Sequence, residues 1–99
     1  MPVIFHITTE PEWTAAKKAG YYEAPSLKEE GFIHCCQPEQ ISDVLHRYFE
    51  GKKELLKLSI DTSKLKSQLI YEWSPSNTDT YPHIYGPINV DAVTAVENL

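Results

Sequence analysis

The 99 residues make the length of one domain, residues 1–99, and bury about two-thirds of their unfolded surface in a single core. A net charge of −5, with Arg47 the only arginine, excludes the dense basic surface of a tight, non-specific nucleic-acid binder. No apolar run approaches the ~20 residues that span a bilayer, so no membrane partner is expected.

Val3 to Ile7 is rich in β-branched and aromatic residues and is predicted as the first strand. Thr9-Glu10-Pro11-Glu12 opens a helix: Thr9 caps it, Pro11 fits the first turn and Glu12 completes a capping box. Trp13, Ala16 and Ala19 form its apolar stripe and Gly20 ends it. Tyr21-Tyr22-Glu23 is a short extended piece, and Ser26-Leu27-Lys28-Glu29 is a second capping box, with Ser26 as cap, closed by Gly31.

Phe32 to Cys36 is predicted as the second clear strand. Pro38 opens the main helix, to about Glu50, with Ile41, Val44, Leu45, Tyr48 and Phe49 on one face, His46 on the other and Gly51 as the stop. Leu55 to Ile60 and Gln68 to Trp73 are strands, and Ser74 to Thr80 is a polar loop. Pro82 to Ile88 carries two prolines and a glycine and reads as an edge strand at most. Ala92 to Val96 is the last strand. Short strands with two main helices predict an α+β fold on small antiparallel sheets.

The histidines carry the chemistry. His6, His34 and His83 each sit in a short strand-like run, where a polar side chain needs a partner. In the first strand, Val3, Phe5 and Ile7 share an apolar face expected to look into the core. His6 and Thr8 then line the opposite face, a cleft. Imidazole suits proton transfer, metal binding and ligand hydrogen bonding near neutral pH. Glu72 shares a face with Ile70, and His83 and Tyr85 alternate along the last motif. The adjacent Cys35 and Cys36 lack zinc-site spacing and fit two buried thiols in a reducing, cytoplasmic compartment, which agrees with a start that lacks a signal peptide's basic region.

At His6-Ile7-Thr8, Glu12-Trp13, Ala24-Pro25-Ser26-Leu27, Glu30-Gly31-Phe32-Ile33-His34-Cys35, Gln40, Tyr71-Glu72 and Pro82-His83-Ile84-Tyr85-Gly86-Pro87, the chain resembles the DUF952 family. That family is similar in fold to the ADP-ribosyltransferase superfamily, whose split pair of small sheets clasps NAD. The resemblance implies an ADP-ribosylation-like fold and NAD, or an ADP-ribose-type molecule, as ligand. It further implies ribose contacts from His6 and Thr8, a stacking aromatic at Tyr85 or Phe32, and an acidic group at Glu72. The expected catalytic set is His6, His34, Glu72 and His83; the expected ligand-binding set is Thr8, Phe32 and Tyr85. The expected state is monomer or homodimer.

Three other chemistries compete. Metal-assisted hydrolysis would use His6, His34 and His83 as ligands, although no two stand at a tight ligand spacing. A two-histidine phosphodiesterase needs a second H-x-T or H-x-S, and His34-Cys35-Cys36 lacks the hydroxyl. A non-catalytic small-ligand module would use the same cleft without turnover.

Overall fold

The computed structural model describes residues 3–99. Strands β1 (Val3–Thr9), β4 (Leu55–Asp61) and β8 (Val93–Asn98) form an antiparallel sheet in the order β1-β4-β8. Strands β3 (Ile33–His34), β6 (Asp79–Tyr85) and β5 (Gln68–Ser74) form a second sheet, in the order β3-β6-β5. A third pairing joins β2 (Tyr21–Tyr22) to β7 (Ile88–Asn89). Helices α1 (Glu10–Ala19), α2 (Pro25–Glu30) and α3 (Ile41–Tyr48) complete the split α+β architecture.

One bridge joins the two larger sheets. Phe5 and Cys36 exchange both backbone hydrogen bonds, each 2.8 Å long. The chain leaving β3 thereby runs along the outer edge of β1, and the backbone of His34 comes within reach of the His6 side chain. The core lies between the sheets: Ile4, Leu58 and Ile60 from one side, Ile33 and Ile84 from the other, with Trp13, Tyr22, Ile88 and Ala92 closing it. Each such aliphatic side chain contributes about 1.5–3 kcal/mol on full burial.

The first-strand face assignment is corrected here. Ile4, His6 and Thr8 stand opposite Ile60, Leu58 and Leu56 in the ladder, and this is the buried core face. Val3 is exposed, while Phe5 and Ile7 look the other way, into a cavity beneath α3. Apolar alternation alone misassigns this strand, because distant partners satisfy the hydroxyl and the imidazole inside the core.

Other boundaries shift for local reasons. Thr9 caps α1 as expected, accepting from the Glu12 N–H at 3.4 Å, and Gly20 ends the helix at φ 90°. Glu12 does not complete the box on the backbone; its carboxylate takes the Thr8 and Thr9 hydroxyls instead. Ser26 is not a cap. It lies inside α2 and donates to the Phe32 carbonyl at 2.8 Å, while Ala24 occupies the cap position. Pro38 starts a 3-10 turn, Pro38–Gln40, and the α-helix proper ends at Tyr48, with Phe49 rather than Gly51 as its cap.

The hairpin between β5 and β6 is tighter than the polar loop expected, since β5 runs to Ser74 and β6 starts at Asp79. A 3-10 turn, Val90–Ala92, precedes β8. Pro82 lies in the middle strand of its sheet. Its carbonyl faces β3, where it accepts from the Cys35 N–H at 3.0 Å. The missing proline N–H points the same way, so the β5 ladder loses nothing and the cost falls where β3 already ends.

Candidate functional site

A cavity of about 860 Å³ opens between β1, α3 and the second sheet. That volume lies in the range of small-molecule sites. Phe5, Ile7 and Leu55 form its apolar floor, and Val44, Tyr48 and Phe49 from α3 form one wall. The charged side chains lining it are Glu12, Glu30 and Lys52, so its lining is slightly acidic. His6, His34 and His83 all border this space, whereas Thr8, Phe32, Glu72 and Tyr85 do not line it.

His34 and His83 are direct partners in the β3–β6 ladder, so both side chains emerge on one face. Their ring centroids are 5.3 Å apart, close to perpendicular at 80°. Each imidazole has its own carboxylate. His34 Nε2–H donates to Glu30 Oε2 at 2.9 Å, and His83 Nδ1–H donates to Glu72 Oε1 at 2.8 Å. Tyr85 donates its hydroxyl to the same oxygen of Glu72. Those bonds, the Tyr85 hydroxyl first and the His83 ring second, hold the Glu72 carboxyl below the usual range. With its Nδ1 proton committed, neutral His83 keeps its lone pair on Nε2. Phe32 stacks on His83 with centroids 4.1 Å apart and fixes the ring plane.

His6 occupies a different position from the other two. It is 7 % exposed, and both ring nitrogens are engaged. Nδ1–H donates to the His34 carbonyl at 2.6 Å, and Nε2 lies 2.8 Å from the Tyr22 hydroxyl. Burial lowers its pKa to about 4, so the ring is neutral near pH 7. Thr8 is also buried, its hydroxyl between Tyr22 (3.0 Å) and Glu12 (3.2 Å). The H-x-T pair therefore has its polar atoms engaged within the protein rather than free for a ribose.

Sequence reasoning missed three residues here. Tyr22 and Glu12 complete the His6 network. Gln40, 4 % exposed, accepts from Gln37 N and donates to Asp79 and the Thr80 carbonyl, holding the start of α3 to the hairpin. Gln40 lies in the polar stretch Gln37-Pro38-Glu39-Gln40, which carries no local sign of its burial. Among the described residues, no group of three or more His, Cys, Asp or Glu is placed to hold a metal ion. A three-histidine metal site thus has no geometric support. Cys35 and Cys36 are both free and buried, and burial pushes both thiols up, Cys36 to about 11.

A split α+β domain with a histidine-bordered cavity is the class that fold and site define. The sequence profile of DUF952, a protein family of unknown function, matches residues 7–96, and the chain belongs to that family. It is similar to the protein CC0527 from Caulobacter crescentus. In the crystal structure of CC0527 the identity is 32 %, over 98 % of this chain and 85 % of that one, with a TM-score of 0.89. Against the solution NMR structure of CC0527 the identity is 32 %, over 100 % of this chain and 85 % of that one, with a TM-score of 0.84. No curated protein matches the chain. No helix among the described residues is long and apolar enough to cross a membrane.

Proposed function

We propose that the cavity binds a small ligand of the NAD or ADP-ribose type, in an ADP-ribosyltransferase-like arrangement of split sheets, and that His34 and His83 form its acid–base pair. The observation that carries this reading is the pair itself. Two imidazoles stand opposite each other at a cavity edge, each hydrogen-bonded to a carboxylate. Such a pair supplies one group to take a proton and one to give it.

The apolar floor and the Phe32–His83 stack favour a ligand that carries a flat ring. Glu12 and Glu30 favour the cationic pyridinium and sugar hydroxyls of an oxidised nicotinamide riboside, and Lys52 is the lining cation open to phosphate. His6 and Thr8 act here as supports for the wall, while His34, His83 and Glu72 carry the chemistry.

The test is a thermal-shift series with NAD, ADP-ribose and nicotinamide on the wild type, His83→Ala and His34→Ala. A ligand at about 100 times its dissociation constant adds roughly 2.7 kcal/mol, which reads as several degrees. The expected result is a shift with NAD or ADP-ribose that is lost in His83→Ala, followed by an assay of nicotinamide release. Binding without release identifies a non-catalytic module. No shift with any of the three ends the NAD-type reading.

A further inference from the structure

Within the cavity wall runs one continuous chain of polar groups: Glu12 Oε1, Thr8 Oγ1, Tyr22 Oη, His6 Nε2. The three steps measure 3.2, 3.0 and 2.8 Å, and the far ring nitrogen of His6 ends on the His34 carbonyl at 2.6 Å. Thr8, Tyr22 and His6 are buried at 2, 2 and 7 % exposure; Glu12, Tyr22 and His6 line the cavity and Thr8 lies behind them.

Counting hydrogens decides what this chain can do. A hydroxyl carries one proton. With Glu12 ionised and His6 neutral, the three links share two hydroxyl protons, from Thr8 and Tyr22. One link is always a contact between two acceptors. A third proton completes the chain in two ways. Placed on Glu12, it is donated to Thr8, Thr8 donates to Tyr22 and Tyr22 donates to His6. Placed on His6 Nε2, the direction reverses: His6 donates to Tyr22, Tyr22 to Thr8 and Thr8 to Glu12. Passing between the two states breaks one O–H bond at Glu12 and forms one N–H bond at His6, and each hydroxyl ends with one proton.

We propose that Glu12 is a proton-exchanging group of the cavity, with Thr8, Tyr22 and His6 as positioning residues that form a relay behind it. The group served is a donor on the ligand, of the class of a sugar hydroxyl, which hydrogen-bonds to Glu12. The titratable groups facing His6 are Glu12 from α1, Tyr22 from β2 and His34 from β3; Cys35 faces Tyr22. The low proton affinity of buried His6 keeps the resting chain one proton short. The relay is a property of the free protein and stands or falls separately from the NAD-type reading.

The experiment reads the ring nitrogens of His6 by NMR at neutral pH in ligand-free protein. Neither Thr8 nor Glu12 is hydrogen-bonded to that ring, yet Thr8→Val and Glu12→Gln are expected to move its Nε2 resonance. Thr8→Ser, which keeps the hydroxyl, restores the wild-type value. In the reverse direction, Tyr22→Phe moves the Glu12 carboxyl carbon, which it does not contact by hydrogen bond. An unchanged Nε2 resonance in both Thr8→Val and Glu12→Gln overturns the relay and leaves separate local bonds. Where Thr8→Val fails to fold, Thr8→Ala decides, because Glu12→Gln also removes a charge that acts on His6 directly.

Discussion

His34 contacts His6 through its backbone and His83 through its side chain: its carbonyl accepts the His6 Nδ1 proton at 2.6 Å, while its ring stands 5.3 Å from the His83 ring. One residue thus links a buried, neutral imidazole to a partly buried, carboxylate-paired one. The three histidines differ in burial and in the partners that hold their ring nitrogens.

The burial of His6 makes stability depend on pH. Its folded pKa of about 4 lies below the unfolded value of 6.5, so between those values the unfolded chain binds a proton that the folded one refuses. Stability therefore rises with pH across that window, by roughly 3 kcal/mol in total, and is flat above it. Urea unfolding of the wild type at pH 4.5, 5.5 and 7 is expected to show this slope. His6→Gln is expected to be less stable at pH 7 but to lose most of the slope; an equal slope in the variant would assign it to another group.

Glu72 acts in a more acidic window. Its folded pKa is depressed by Tyr85 and then by His83, so its contribution is present above the ordinary value of 4.5 and is lost as pH falls through the folded value. Tyr85→Phe removes the larger cause. The carboxyl carbon of Glu72, followed by NMR titration, is expected to protonate at a higher pH in Tyr85→Phe than in the wild type. An unmoved midpoint would show that the phenol does not hold this carboxylate.

Ser26→Ala removes the hydroxyl that donates to the Phe32 carbonyl at 2.8 Å. The expected cost is about 1 kcal/mol, read from the denaturant midpoint. The Phe32 ring sits on His83, so a loosened Phe32 also changes the ring-current shifts of His83 protons. A helix-capping role would lower helicity instead and leave His83 undisturbed.

Gly86→Ala tests the end of the same strand. Gly86 has φ 156°, and an added Cβ would stand 2.5 Å from Ser67 Oγ and 2.9 Å from Ser67 Cβ. The Ser67 hydroxyl is itself bound to the Pro87 carbonyl at 2.6 Å. The expected loss is about 2 kcal/mol or more. Adding Ser67→Ala relieves only part of it, because the Ser67 Cβ remains in place; full recovery by the double variant would place the strain in the hydroxyl alone.

The parts of the fold written in local chemistry were legible. The Thr9 cap, the Gly20 stop and the amphipathic period from Ile41 to Phe49 all follow from neighbours within a turn or two. The face of β1 was not legible, because the groups that satisfy His6 are Tyr22 and the His34 carbonyl, 16 and 28 residues away. Pro82 misled for a similar reason. Proline in a middle strand is costly only if its missing N–H faces a continuing partner, and β3 ends at His34, beside that point. At the site, His34 and His83 were legible as candidates, but their pairing is set by ladder register. Glu30 and Gln40 stand among the residues that carry the family resemblance, but nothing in their local sequence, or in that of Tyr22, shows the partners they meet in the fold.

The helix α3 has no buried residue, and polar ties to the hairpin help hold it: Gln40 to Asp79 and Thr80, Tyr48 to Asn77 and Arg47 to the Ser76 carbonyl. Strand β4, by contrast, is flanked on both sides and lies at the bottom of the core. The two belong to opposite ends of the local stability scale. Amides of α3 are expected to exchange with solvent through small openings and those of β4 only on global unfolding, a contrast that native-state hydrogen exchange measures. One wall of the cavity is thus a helix held by surface ties, while the floor beneath it belongs to the sheet anchored in the core.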